Sequence, residues 1–195
     1  IGLVVPVLFA AVCGVVAHGQ YRYWRSTEAL YRHLLTKSPN VAVLHHDLGI
    51  ELARQGRLDE AIEQYRATLK LDAARPDTYT GLGNALVHLN KPAEAVGYLE
   101  QAIDLAPQKA APYAGLAAAL AQQGRLDEAL QRGREALERD RYAPEIHLNL
   151  ALILLQMRRY DEAIEHSEAA LRLAPHNAQI TEVLRRARQM KQQAP

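Results

Sequence analysis

The sequence predicts an all-α fold, a solenoid of stacked helix pairs, on three observations. The hexamer Gly-Arg-Leu-Asp-Glu-Ala occurs twice, starting at Gly56 and again at Gly124. Sliding the chain by half the distance between the two copies brings Ala61, Ala95, Ala129 and Ala163 into step. With them come Leu48, Leu82, Leu116 and Leu150, the acids Glu60, Glu94, Glu128 and Glu162, and the series Leu69, Ile103, Leu137 and Leu171. Within one period the apolar residues recur at helical spacing: Leu44, Leu48 and Leu52 on a first helix, then Ala61, Ile62, Tyr65 and Leu69 on a second. Two short striped helices cannot bury both stripes by themselves, so neighbouring periods must stack.

Taken from the N-terminus, residues 1–20 predict a transmembrane helix. Ile1–Ala17 carries no charge, and at about 1.5 Å per residue it spans roughly 26 Å, close to a bilayer's hydrocarbon core. Tyr21, Tyr23 and Trp24 follow, interleaved with Arg22 and Arg25, the mixture a membrane–water interface selects. A buried helix and a cleaved signal peptide are the other readings, although the basic start of a signal peptide is missing. The chain opens on Ile1 rather than Met, which suggests a longer parent. Residues 21–41 form a juxtamembrane segment and an unpaired half-repeat helix over Thr27–Lys37, with Tyr31, Leu35 and Pro39 in second-helix register.

Four repeats follow, at residues 42–75, 76–109, 110–143 and 144–177, each with a first helix (about Val43–Gln55 in the first repeat) and a second (about Leu58–Leu71). Gly56, Asn90 and Gly124 stand where the first helix must stop, and all tolerate the left-handed conformation of a C-terminal cap. Arg158 takes that place in the fourth repeat, at some cost. Pro92 suits a first helical turn, where its missing N–H is not needed. Ala61 and its equivalents are small because the paired helices cross closely there, whereas Ala121 is expected to face open room. Residues 178–195 form a capping helix whose apolar face is Ile180, Val183, Leu184 and Ala187 and whose remaining surface is polar.

The charge balance is nearly neutral, formally +1, and 49% of residues are hydrophobic. That composition excludes a disordered chain and gives no electrostatic footprint for nucleic acid. The single Cys13 cannot form an internal disulfide. No Gly-rich phosphate loop, paired-cysteine spacing or nucleophile elbow occurs, so no catalytic residue, cofactor, metal or small-molecule substrate is expected. His45 and His147 occupy the aromatic slot filled elsewhere by Tyr79 and Tyr113, which predicts packing rather than metal ligation. The acids that open each second helix are explained by the helix dipole.

With its regular period and its fixed small, large and aromatic positions, the region 42–177 resembles the tetratricopeptide repeat family. The resemblance implies a right-handed α-solenoid whose first helices line a concave groove that binds an extended or helical peptide. By register the groove positions are His46, Asp47, Ile50 and Arg54, then Thr80, Gly81, Asn84 and His88. They continue as Ala114, Gly115, Ala118 and Gln122, then Leu148, Asn149, Leu152 and Gln156. The carboxylate clamp of chaperone-binding members needs Lys, Arg and Asn where this chain has Ile50, Thr80, Gly81 and Ala114, so no such clamp is expected. An asparagine ladder would need Asn at Asp47, Gly81, Gly115 and Asn149, and only the last matches. Leu148 and Leu152 are expected to form an apolar pocket, with Asn84 and Asn149 gripping a peptide backbone.

A second resemblance covers Tyr23–Gly49. It is similar to the junction in polytopic O-mannosyltransferase-type membrane proteins, through Trp24, Thr27, Leu30, Pro39, Asn40, Leu48 and Gly49. The two resemblances imply two functions. One is a membrane-tethered, non-catalytic module that binds a protein or peptide partner. The alternative is the C-terminal repeat region of a membrane glycosyltransferase whose catalytic domain lies upstream. A membrane location follows from either, with the repeats extracytoplasmic by that resemblance but cytoplasmic by the flanking Arg22, Arg25 and Arg32.

Overall fold

The computed structural model describes residues 27–194, among which are ten α-helices and no strand. They fall into two compact units divided between Ala73 and Ala74. Unit 1 holds α1 (Thr27–Lys37), α2 (Ala42–Arg54) and α3 (Leu58–Leu71). Unit 2 holds α4 (Pro76–His88), α5 (Pro92–Leu105), α6 (Ala110–Gln122), α7 (Leu126–Arg139), α8 (Pro144–Gln156), α9 (Tyr160–Leu173) and α10 (Ala178–Gln193). First helices of the repeats begin at Ala42, Pro76, Ala110 and Pro144, second helices at Leu58, Pro92, Leu126 and Tyr160, so both series keep the constant step of the sequence repeat.

In unit 1, α2 packs against both α1 and α3. In unit 2 each second helix packs between two first-type neighbours: α5 between α4 and α6, α7 between α6 and α8, α9 between α8 and α10. The first helices also meet each other, α4 with α6 and α6 with α8. The crossing within each pair is made at Ala61, Ala95, Ala129 and Ala163, all fully buried. Leu99 of α5 shows how tight the next layer is. A Cβ on Gly83 of α4 would lie 2.5 Å from Leu99 Cγ, and one on Gly115 of α6 only 2.8 Å from Leu99 Cδ2. Leu99 is thus wedged between two helices that are glycine where it touches them.

The turn inside each repeat is the same structure four times. The residue after each first helix's cap has positive φ: Gly56 (78°), Asn90 (57°), Gly124 (76°) and Arg158 (59°). The following N–H, of Arg57, Lys91, Arg125 or Arg159, donates back to the carbonyl of Leu52, Leu86, Leu120 or Leu154. This is the six-to-one bond of a Schellman turn. Arg57, Arg125 and Arg159 then bridge to Glu60, Glu128 and Glu162 in the first turn of the next helix. The acids therefore have a partner beyond the helix dipole, and the guanidinium holds each carboxyl below its usual range.

The aromatic slot also has a defined job. His45 Nε2 donates to Pro39 O, Tyr113 Oη to Pro107 O and His147 Nε2 to Arg141 O, each six residues upstream across the turn that enters the first helix. Each ring then meets the second helix. His45 Nδ1 lies 2.8 Å from the Gln64 amide, the Tyr79 and Tyr98 rings are 6.4 Å apart, and Arg139 stacks 3.7 Å from the Tyr113 ring centre. In the fourth repeat the partner is a second histidine: His147 Nδ1 lies 3.0 Å from His166 Nδ1. Burial first, then His147, pushes His166 below its ordinary value, and Arg134 acts the same way against the opposing pull of Glu162.

Two expectations are corrected. Ala121 is not open to the groove but buried, 8% exposed. The membrane location is corrected as well, because among the described residues no helix is long and apolar enough to cross a membrane; the longest, α10, has 16 residues and a polar outer face. The transmembrane helix expected at 1–20 lies outside the described residues.

Two outcomes follow from this packing. Gly83→Ala must displace Leu99 and should cost about 1–3 kcal/mol. Gly97→Ala, on an exposed face of α5 with open space around it, should stabilise by roughly 0.5–1 kcal/mol; urea unfolding midpoints of the two variants will move in opposite directions. The histidine pair makes the second. A base whose folded value is depressed stabilises the fold above its unfolded value, here 6.5, and that contribution is lost as pH falls below it. Thermal melts between about pH 7.5 and about pH 5.5 should show stability falling with pH, and the slope should flatten in His166→Gln, which recreates the His45–Gln64 pairing of the first repeat.

Candidate functional site

The first helices of unit 2 leave a cleft of about 490 Å³ between them. Its floor is α6: Ala110, Ala111, Ala114, Gly115 and Ala118 present nothing larger than a methyl group. One wall comes from the C-terminal half of α4, with Asn84, Val87 and His88; the other comes from the entry to α8, with Asp140, Ala143, Glu145, Ile146 and Asn149. The sequence explains the hollow. The large side chains of α6, Tyr113, Leu116 and Leu120, are buried in the stack, and the face it turns to the cleft has only alanine and glycine. The absence of a Cβ on Gly115 also admits Asn84, since such a Cβ would lie 2.4 Å from Asn84 Oδ1.

Asn84 and Asn149 are half-buried and face the cleft from opposite walls. Each amide can donate and accept at once, as a peptide bond requires. His88 adds a polar tip on the α4 side, and Asp140 and Glu145 add carboxylates on the α8 side. The Asp140 carboxylate accepts the Tyr142 N–H. The cleft is thus an apolar trough with amides on two sides and a mildly acidic edge.

The remaining groove candidates divide between the units. In unit 1, His46 is buried, its ring centre 6.0 Å from that of Tyr65. Asp47 accepts a hydrogen bond from the Tyr31 hydroxyl, which burial and that carboxylate together push above its ordinary range. Ile50 is 48% exposed, and Arg54 is bonded to Glu51. In unit 2, Thr80 is buried and its hydroxyl donates to Pro76 O, while Gln122 donates to Val87 O. Leu148 is buried at 7% exposure, which leaves Leu152 as the accessible member of the pair. Leu152 and Gln156 line a second, smaller depression of about 290 Å³ beside α10.

Repeat register missed Val87, Asp140, Ala143, Glu145 and Ile146. They belong to helix ends and to the turn before α8, where a register of helix faces has no place for them. Among the described residues no group of three or more His, Cys, Asp and Glu side chains could hold a metal ion.

Comparison with known proteins supplies the family. Models described as tetratricopeptide repeat match residues 46–110, 80–144 and 120–187. No curated protein matches the chain. Among solved structures, TTC0263, a thermophilic tetratricopeptide protein of Thermus thermophilus, is 23% identical with a TM-score of 0.75, covering 91% of this chain and 96% of that one. YrrB, described as a tetratricopeptide protein with an unusual peptide-binding site, is 22% identical with a TM-score of 0.61, covering 89% and 87%. MamA from Desulfovibrio magneticus is 20% identical with a TM-score of 0.66, covering 85% and 96%. At these identities the likeness is one of fold. The resemblance of residues 23–49 to an O-mannosyltransferase-type junction gains no support from these matches. The family models overlap along most of the helical stack, and by their span the chain belongs to the tetratricopeptide repeat family.

Proposed function

We propose that unit 2 is a non-catalytic binding module that takes a peptide segment of a partner protein into the cleft over α6. The observation that carries this reading is the cleft itself. Its volume of about 490 Å³ lies within the roughly 300–1,000 Å³ of ligand sites. Its floor is apolar and free of large side chains, and two half-buried amides flank it. A bulky apolar side chain of the peptide seats over Ala114 and Ala118, while Asn84 and Asn149 hold the backbone on either side. Burying such a side chain contributes roughly 1.5–3 kcal/mol, more than a neutral hydrogen bond's roughly 0.5–1.5 kcal/mol, so the floor dominates affinity and the amides set register. YrrB, whose description records a peptide-binding site, lends the reading support by analogy of fold.

The test is a selection of binders from a random-peptide library against the full chain, followed by fluorescence anisotropy titration. Ala118→Trp fills the floor with a side chain that has room to lie in the cleft; it should weaken the selected peptides tenfold or more, about 1.4 kcal/mol, with unchanged helical circular dichroism. Asn84→Ala and Asn149→Ala should each weaken them several-fold. Peptides that bind Ala118→Trp as well as wild type would place the binding surface outside the cleft.

A further inference from the structure

The second depression, beside the capping helix, has a composition unlike the first. Leu152, Leu155 and Met190 make an apolar floor, and Gln156, Arg158 and Arg186 stand around it. The two arginines are unusual in their own settings. Of the four cations on the outer turns of α10, Arg185 pairs with Glu182, Arg188 with Glu168 and Lys191 with Asp161. Arg186 has no ion-pair partner among the described residues; it is close enough to lower the Glu182 carboxyl, but that carboxylate is already bonded to Arg185.

Arg158 is the more telling of the two. It occupies the left-handed position of the fourth repeat turn, with φ 59°, where the first and third repeats have glycine. A left-handed conformation is unfavourable for a residue with a Cβ. Neighbouring Arg159 bonds to Glu162, while Arg158 has no ion-pair partner among the described residues. The repeat turn accounts for its backbone conformation, but not for an arginine where glycine would fit without strain.

We propose that this depression captures the C-terminus of a bound peptide, with the terminal carboxylate between Arg158 and Arg186 and an apolar terminal side chain on Leu152, Leu155 and Met190. Charge complementarity names the occupant: two unpaired guanidiniums beside an apolar hollow fit a group that is anionic at one end and apolar at the other. Arg guanidiniums bind carboxylates through paired, charge-assisted hydrogen bonds. Gln156 offers an amide for the last peptide bond. The site rests on the reading of unit 2 as a peptide-binding module, since Leu152 follows Asn149 of the α6 cleft by three residues, about 4.5 Å of rise along α8.

The experiment uses the full chain and random heptapeptides displayed with free C-termini. Selected peptides are resynthesised as free acids and as C-terminal amides and titrated by fluorescence anisotropy. The expected result is enrichment of Leu, Ile, Met or Phe at the last position and a loss of tenfold or more on amidation. Arg186→Gln should give a similar loss for the acid and little change for the amide. Arg158→Gly is the decisive variant: it relieves the left-handed strain and should raise Tm while lowering affinity for the free acid. Equal binding of acid and amide, or full affinity in Arg158→Gly, overturns the carboxylate site. If those same peptides still lose binding in Ala118→Trp, the α6 cleft stands and only the terminal site falls. If no displayed peptide binds in either form, the cleft reading and the terminal site fall together.

Discussion

Everything in this chain depends on how closely two helices cross at a single alanine. At Ala61, Ala95, Ala129 and Ala163 the side chain is fully buried and reduced to a methyl group, so the paired helices meet nearly backbone to backbone. That contact fixes the angle at which the first helix must turn back, and the turn is met by the same Schellman bond in all four repeats. It also determines what lies one layer further out. With the pair held this close, Leu99 reaches past its own partner to the next first helix and fills a space that glycine leaves on both sides. Within unit 2 packing passes from repeat to repeat through wedges of this sort, and none of it depends on the surface charges. The ion pairs between Arg57, Arg125 or Arg159 and the following glutamate sit at the surface, where such pairs contribute about 0–1 kcal/mol. They decorate the turns and do not determine them.

The cleft is a by-product of the same constraint. Small residues on α6 serve two opposite purposes. On the buried side they permit close approach; on the open side they leave a trough that nothing from the chain fills. The fourth repeat differs because α8 is rich in leucine and isoleucine, with Leu148, Leu150, Ile153, Leu154 and Leu155 all buried. Its apolar bulk goes into the stack and toward the capping helix, so its exposed remnant, Leu152, ends up beside arginines rather than beside alanines.

Much of the fold was legible in the sequence because the repeat has no insertions. One register, once found, places every helix, every crossing alanine and every turn. The same register located Asn84, Ala114, Ala118 and Asn149 on the faces that line the cleft. It could not assign Ala121 or Leu148 to the buried side, since a helix facing a groove and two neighbours has a buried arc wider than a single stripe. Nor could it find Asp140, Glu145 or Ile146, whose place depends on where a turn ends rather than on a helical face. The role of the aromatic slot was partly legible. Tyrosine and histidine at one position implied packing, but the hydrogen bond to a carbonyl six residues back requires knowing the path of the turn. That bond explains why histidine can replace tyrosine there, since both rings carry a donor that reaches the carbonyl.

The identity of the four turns has a consequence for how such a chain can change length. Helix starts in unit 2 recur at the same step on both sides of every connection, although the side chains that brace each junction differ. A cut after Lys109 and a cut after Ala143 expose the same kind of end, each followed by the opening of a first helix. Removing the segment between them, or copying it, rejoins like to like without creating a turn the fold does not already contain. The chain is therefore quantised: it can shorten or lengthen by whole periods, while the loss of a single residue inside a helix turns the remainder of that helix by about 100° and takes its later residues off the buried face.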